Sequence, residues 1–467
     1  MDALDRIARY VTTAQFDEIP KESVHAAKRL LADTIGCAAA GWDRNTSRIA
    51  RKIFPEVAGP LQATVWGSGE KAWIPAAVMV NGAMVREPEI NDTFTDKTPA
   101  HPSESIPTAI ALCEAKKRGG REFLTAMVSS YEVYSRLCQT AKLVGGERGW
   151  HHTTFGIIVI PALASRCLGL DLETTKNAMA ISSSYGVTLN QLHLGDTTGL
   201  RTLAYPFTAF TGITATLLAE AGLAGPHAVL SGPHGFYRQL FEDEFDLSPF
   251  SDWSTPLIVQ SSIKQHGCSY YIATTLTALR LVLDSAKIES GSIDRIVVEL
   301  TQRPYEVVAQ KSRARPETLE AADHSLPFCV GLLATRGTVY PMDFTAETLK
   351  NPEVLRIVDL VEVKVNKELD QEYPLHRARP AIVSVYSGGK LVGKVTSIYP
   401  LGDYRDPLSD AQLFEKFVDL TGGWYSREQA DRVWNAVFSL EDCKDIGELV
   451  VLALSGSRPG STPRAGT

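Results

Sequence analysis

The 467-residue chain is poor in cysteine: it has seven, at positions 37, 113, 138, 167, 268, 329 and 443. An odd, scattered set without a C-x-x-C pair suggests neither a disulfide framework nor a metal knuckle, and it fits a reducing compartment. Positive charge is also short. Lys and Arg number 47 against 54 Asp and Glu, a net charge of −7, which argues against a nucleic-acid binder that relies on bulk attraction to phosphate. No apolar run approaches the roughly 18 residues that span a bilayer, and the first residues, MDALDRIARYVTTAQFDEIP, carry acids where a signal peptide is apolar. The expectation is a cytoplasmic protein with no membrane and no nucleic-acid partner. GxxxxGK[ST], a GxGxxG between strand and helix, GxSxG and HExxH are all missing, which removes the usual signatures of nucleotide cofactors, serine hydrolases and zinc proteases.

What is present is ordinary globular composition, 44% apolar and 22% charged, at a length that fits two large domains or three smaller ones. From Lys21 to Gly41, Val24, Ala27, Leu31, Ile35 and Ala38 recur at helical spacing after Pro20. The same pattern predicts helices around 76–86, 106–117, 122–138, 155–168, 173–182 and 205–222. After about residue 285 the pattern changes to β-branched runs at Arg295–Thr301, Val361–Val365 and Ala381–Tyr386, with Ser387-Gly388-Gly389-Lys390 as a hairpin turn into Leu391–Tyr399. Ser409-x-x-Gln412 and Ser426-x-x-Gln429 each match a capping box and restart helices. The fold expected is mainly α: a large helical domain from residues 1–262 and 403–452, a smaller α+β domain at 263–402, and a disordered tail at 453–467, where Ser, Gly, Pro and Arg lack any apolar period.

Three stretches gather ionisable groups beside Gly, Pro and small residues. Glu89-Ile90-Asn91-Asp92-Thr93 is followed, seven residues on, by His101-Pro102-Ser103-Glu104-Ser105; this is a carboxylate–imidazole acid/base pair if the turn joins them, or a solvated loop with a cap at Ser103. Gly149-Trp150-His151-His152-Thr153-Thr154 places two histidines at a helix start, where at most one is expected to reach a shared site while the other packs or hydrogen-bonds. Ile263-Lys264-Gln265-His266-Gly267-Cys268 lies at the domain junction; its lysine either holds an anionic substrate or sits on the surface.

Together these segments resemble the MmgE/PrpD family, which includes 2-methylcitrate dehydratase, cis-aconitate decarboxylase and iminodisuccinate epimerase. The first is similar to the family's D-F-[ND]-D-T and H-P-S pair, at a spacing like its methylcitrate dehydratase branch. The second is similar to G-[FW]-[DH]-x-T. Ala322-Asp323-His324-Ser325-Leu326-Pro327 resembles A-D-H-S-L-P, and Tyr399-Pro400-Leu401-Gly402, Asp406-Pro407-Leu408-Ser409 and Glu415-Lys416-Phe417 resemble Y-P-x-G, N-P-[ML]-S and E-K-F. The resemblance covers roughly residues 5–440. It implies a helical domain built from both chain ends, an inserted α+β lid, a homodimer, a cleft site and chemistry without metal or organic cofactor. Three departures stand out: Glu89 for the first acid, Arg201 for a lysine, and Lys264-Gln265-His266-Gly267 for K-x-[FY]-P.

What the resemblance implies for activity is a lyase that dehydrates 2-methylcitrate or a related alkylcitrate. The alternatives are decarboxylation or epimerisation of a di- or tricarboxylate, or carboxylate binding without catalysis. Asp92, His101 and His151 are then expected to share the proton transfers, with Lys264 stabilising developing charge. Asn91, Thr93, His152, Arg201 and His266 are expected to bind and orient the substrate's carboxylates, Arg201 as a two-pronged clamp.

Overall fold

The computed structural model describes residues 3–56, 59–60, 62–143, 149–193, 198–241, 245–373 and 378–455. They form a mainly helical protein with one four-stranded sheet in its second half and a two-stranded ribbon, β1 (Ala63–Thr64) and β2 (Lys71–Ala72), in its first. Helix Lys21–Gly41 has the bounds its apolar spacing predicts and is almost wholly buried beyond Ala27. Small residues permit that burial: a Cβ on Gly41 would fall 1.9 Å from the Met84 carbonyl oxygen in helix Ile74–Arg86. Helices Ile106–Ala115, Gly120–Thr140, Gly156–Leu168, Leu172–Ser183 and Ala204–Glu220 follow within a few residues of the predicted spans. One correction concerns long apolar runs. Gly199–Glu220 is apolar and long enough to cross a bilayer, which its interspersed Thr and Tyr conceal; 61% of that window is buried inside the protein.

One hydrophobic core draws on residues 3–263 and again on 408–454. A second draws on 268–385. The second is built on a sheet of β3 (Arg295–Leu300), β4 (Val361–Val365), β5 (Ala381–Ser387) and β6 (Lys390–Ser397) in the order β4-β3-β5-β6, with β3 parallel to β4 and the other pairs antiparallel. Gly388 (φ 56°) and Gly389 (φ 71°) make the hairpin turn. Two consecutive left-handed residues match the twist of the flanking strands. Helix Tyr270–Ala286 lies against β5 and β6.

The chain crosses between the two cores at a narrow neck. Thr93 and Ser262 exchange backbone hydrogen bonds (2.9 and 2.8 Å), and the Ile263 N–H donates to the Gly402 carbonyl at 2.9 Å. Gly402 has φ 95°, and a Cβ there would lie 2.0 Å from the Ile263 oxygen, so glycine is required. Beyond the neck, Ser409 and Gln412 close a full capping box on helix Asp410–Thr421. Ser426 caps helix Arg427–Phe438 by accepting from the Gln429 N–H, but the Gln429 side chain donates instead to the Leu452 carbonyl, 3.0 Å away. The expected tail begins too early. Ala453 ends helix Ile446–Ala453, Leu454 is buried, and the Gly67 N–H donates to the Leu454 carbonyl at 2.6 Å. Residues 456–467 lie outside the described residues.

Candidate active site

Helix Ile74–Arg86 delivers Arg86 to the interior, and three residues later Glu89 adopts φ 55°, a left-handed conformation costing a non-glycine residue on the order of 1–3 kcal/mol. That turn aims both ends of Glu89 at cations. Its carboxylate lies 2.6 Å from Arg86 Nη1, 3.1 Å from Arg201 Nη1 and 3.6 Å from Lys264 Nζ, and its carbonyl accepts from Lys264 Nζ at 2.9 Å. All four side chains are buried. Burial alone raises the Glu89 pKa, but Arg86, Arg201 and Lys264 together outweigh it and hold the carboxyl well below its ordinary value. Burial also pulls Lys264 down from the usual lysine range, against the pull of Glu89. On the other side of the cluster Arg201 Nη1 lies 3.2 Å from His324 Nε2, while His324 Nδ1 donates to Asp323.

Asn91 and Asp92, at 0% exposure, are part of the interior and not a solvated loop. The Asp92 carboxylate accepts from the Ser103 N–H (3.1 Å) and the Tyr131 hydroxyl (2.9 Å). Burial nevertheless raises its pKa to about 6, with the Ser103 and Tyr131 hydrogen bonds opposing and Asp33 adding to the rise. His101 Nδ1 sits 2.6 Å from the Asp92 carbonyl oxygen, so Nδ1 carries the proton and Nε2 is left as a base. Burial first, then Arg86 and Lys264, push its pKa well below the ordinary histidine value, so the ring is neutral.

The two neighbouring histidines differ in their contacts. His151 caps the short turn His152–Phe155 from an extended conformation (φ −89°, ψ 149°), and the change to helical backbone at His152 leaves the rings 4.1 Å apart. His152 packs edge-on against His101 at 5.3 Å, and the Tyr134 hydroxyl lies 3.2 Å from its Nδ1. His151 Nδ1 meets the Thr153 hydroxyl at 2.8 Å.

Asp92, His101 and His152 thus lie together, Lys264 and Arg201 meet on Glu89, Asn91 Nδ2 donates to the Ser103 hydroxyl at 3.1 Å, and His151 lies against His152. Thr93 borders these groups, but its hydroxyl donates to the Ala100 carbonyl (3.4 Å) and its backbone builds the neck. His266 does not join: two residues beyond Lys264, it turns to a different cavity beside Arg280 and Lys416. Arg86, Tyr131 and Tyr134 belong to no motif of the sequence, and Glu104 lies in one without an assigned role. The tyrosines hide in the apolar period of helix Gly120–Thr140. Arg86 was legible only as a lone cation ending an apolar helix. Glu104 stands next to the H-P-S motif; it is buried, with one oxygen 3.2 Å from Arg86 Nε and the other without a partner. Burial raises its pKa to about 8, with Asp92 and Glu89 adding to the rise against Arg86. The Asn91 side-chain oxygen Oδ1 and the Tyr205 hydroxyl are also buried without hydrogen-bond partners. Orphaned polar atoms cost about 1–3 kcal/mol each, so this group of them beside acid/base residues is a candidate for polar contacts with a ligand. Among the described residues no three His, Cys, Asp or Glu side chains converge as a metal-binding set.

A helical domain built from both chain ends, an inserted α+β unit and a buried imidazole–carboxylate–cation cluster at their junction supply groups able to carry out general acid–base chemistry. The chain belongs to the MmgE/PrpD family: the N-terminal domain model matches residues 5–248 and the C-terminal domain model residues 266–442. Similar curated proteins include a cis-aconitate decarboxylase-like protein of Aspergillus oryzae, 25% identical over 475 residues and covering 96% of each chain. Human cis-aconitate decarboxylase is 25% identical over 462 residues, 93% of this chain and 91% of the relative. The 2-methylcitrate dehydratase of Salmonella typhimurium is 20% identical over 450 residues, 92% and 91%.

Proposed function

We propose that this chain is a lyase that dehydrates 2-methylcitrate or a related alkylcitrate through side-chain acid–base chemistry, without a metal. The observation that carries the reading is the pair of buried carboxyls raised to different values, Asp92 to about 6 and Glu104 to about 8, beside the neutral His101. Near neutral pH Asp92 is ionised and Glu104 protonated. Loss of water needs both a group that accepts the proton α to a carboxylate and a group that protonates the departing hydroxyl, and environments that separate two carboxyls supply such a pair. Arg201, Lys264 and Arg86 bind the substrate's carboxylates and stabilise the charge left as the proton departs.

A second reading, decarboxylation, is favoured by one observation: human cis-aconitate decarboxylase and the decarboxylase-like protein of Aspergillus oryzae are each 25% identical to this chain, against 20% for the Salmonella dehydratase. Incubating the protein with 2-methylcitrate, citrate and cis-aconitate, before and after dialysis against a strong chelator, and weighing the products separates the two. Dehydration gives a loss of water from 2-methylcitrate that survives the chelator. Loss of carbon dioxide from cis-aconitate alone moves the assignment to the second reading, and a rate restored only by added metal overturns the metal-free mechanism.

We also propose that the active form is a homodimer in the cytoplasm. The face offered for the contact carries Ile49, Ile53, Leu200 and Phe207, each about half exposed, on elements that pack against one another.

A further inference from the structure

His266 is 8% exposed and its Nδ1 has no hydrogen-bond partner. It lines a cavity of about 450 Å³ between the two cores, with Arg280 and Leu281 on one side, Leu401 at the neck and Lys416 of helix Asp410–Thr421 on the other. Arg280 and Lys416 both line it. Burial, then Arg280 and Lys416, push the His266 pKa down to about 3, so the ring is neutral and offers an N–H. Arg280 gives one N–H to the Gly337 carbonyl, lies only 3.9 Å from Asp284, and keeps further donors. Glu415, the acid on the same wall, is already held by both Nη atoms of Arg427, at 2.8 and 2.9 Å. Lys416 itself bonds Asp33. Leu281 and Leu401 supply apolar surface among uncharged polar neighbours such as Gln265, Tyr340 and Gln412.

We propose that this cavity is a second ligand site, for a small carboxylic acid with an apolar body: the carboxylate is taken by Arg280 and His266, the apolar body by Leu281 and Leu401. Its position makes the occupant an effector. His266 is two residues from Lys264, and Lys416 Nζ reaches the Ile90 carbonyl at 3.5 Å, next to Asn91 and Asp92. A molecule seated there therefore braces the active-site segment from two sides and ties one core to the other. The site stands apart from the residues assigned to catalysis and does not depend on which reaction they perform.

The test uses the full-length protein and hexanoate, with hexylamine as a control of opposite charge. Hexanoate is expected to raise the unfolding temperature saturably while hexylamine does not. Arg280→Leu is expected to weaken hexanoate binding by about tenfold or more, as loss of a charged hydrogen bond dictates. His266→Phe, which fills the cavity and keeps the adjoining fold, is expected to abolish the response. A photoreactive alkyl-diazirine carboxylic acid is expected to label peptides containing Leu281 or Leu401. Labelling confined to residues 86–105 and 149–156, equal stabilisation by hexylamine, an unchanged response in both variants, or no response in the wild type would each overturn the proposal.

Discussion

Glu104 keeps its proton past neutrality because burial costs its charged form more than the single contact with Arg86 returns. This carries a consequence for stability. Between the ordinary value of 4.5 and about 8 the unfolded chain has lost the proton and the folded chain retains it, so folding stability falls as pH rises, by about 1.4 kcal/mol per pH unit at most. Below that window the penalty is absent, and above it the penalty is complete. Glu104→Gln is therefore expected to flatten the decline of unfolding temperature between pH 5 and pH 8 and to leave the variant more stable than the wild type at pH 8. An unchanged pH profile would show that Glu104 is ionised in the folded protein. At this scale the sequence was readable where chemistry sits in short motifs, as in Asp92, His101 and Lys264. It was not readable where a partner comes from a distant helix, because nothing in the apolar spacing of Gly120–Thr140 distinguishes Tyr131, which bonds Asp92, from a core tyrosine.

Among the elements, the two Ser-x-x-Gln helix starts looked alike and behave differently. Ser409 and Gln412 satisfy each other's N–H groups, whereas Gln429 leaves its box to hold the Leu452 carbonyl and so anchors helix Ile446–Ala453. Ser409→Ala is expected to cost about 1 kcal/mol and to accelerate hydrogen exchange in the first turn of Asp410–Thr421 alone. Gln429→Ala is expected to accelerate exchange at the C-terminal end of Ile446–Ala453 while the first turn of Arg427–Phe438 stays protected. If both substitutions act only on their own helix starts, the cross-link from Gln429 is dispensable. Periodicity located nearly every long helix and all four strands of the main sheet, because each buries one face over many residues. It failed at the chain end, where the fate of Leu454 is decided by its contact with the distant Gly67.

For the whole molecule, a dimer formed through the Ile49, Ile53, Leu200 and Phe207 face makes a direct prediction. Phe207→Asp is expected to shift the protein from dimer to monomer in analytical ultracentrifugation, since a charge at the centre of an apolar contact has no partner; an unchanged sedimentation coefficient would place any contact elsewhere. The neck between the cores has a further consequence. Its rungs join residues 93, 262, 263 and 402, and the next residue along the chain is Lys264. Any swing of the smaller unit about this hinge must therefore move the ammonium that Glu89 neutralises. Glu89 is the internal counter-ion of three buried cations. In the reaction proposed above, a substrate carboxylate entering the cluster would exchange one anion for another.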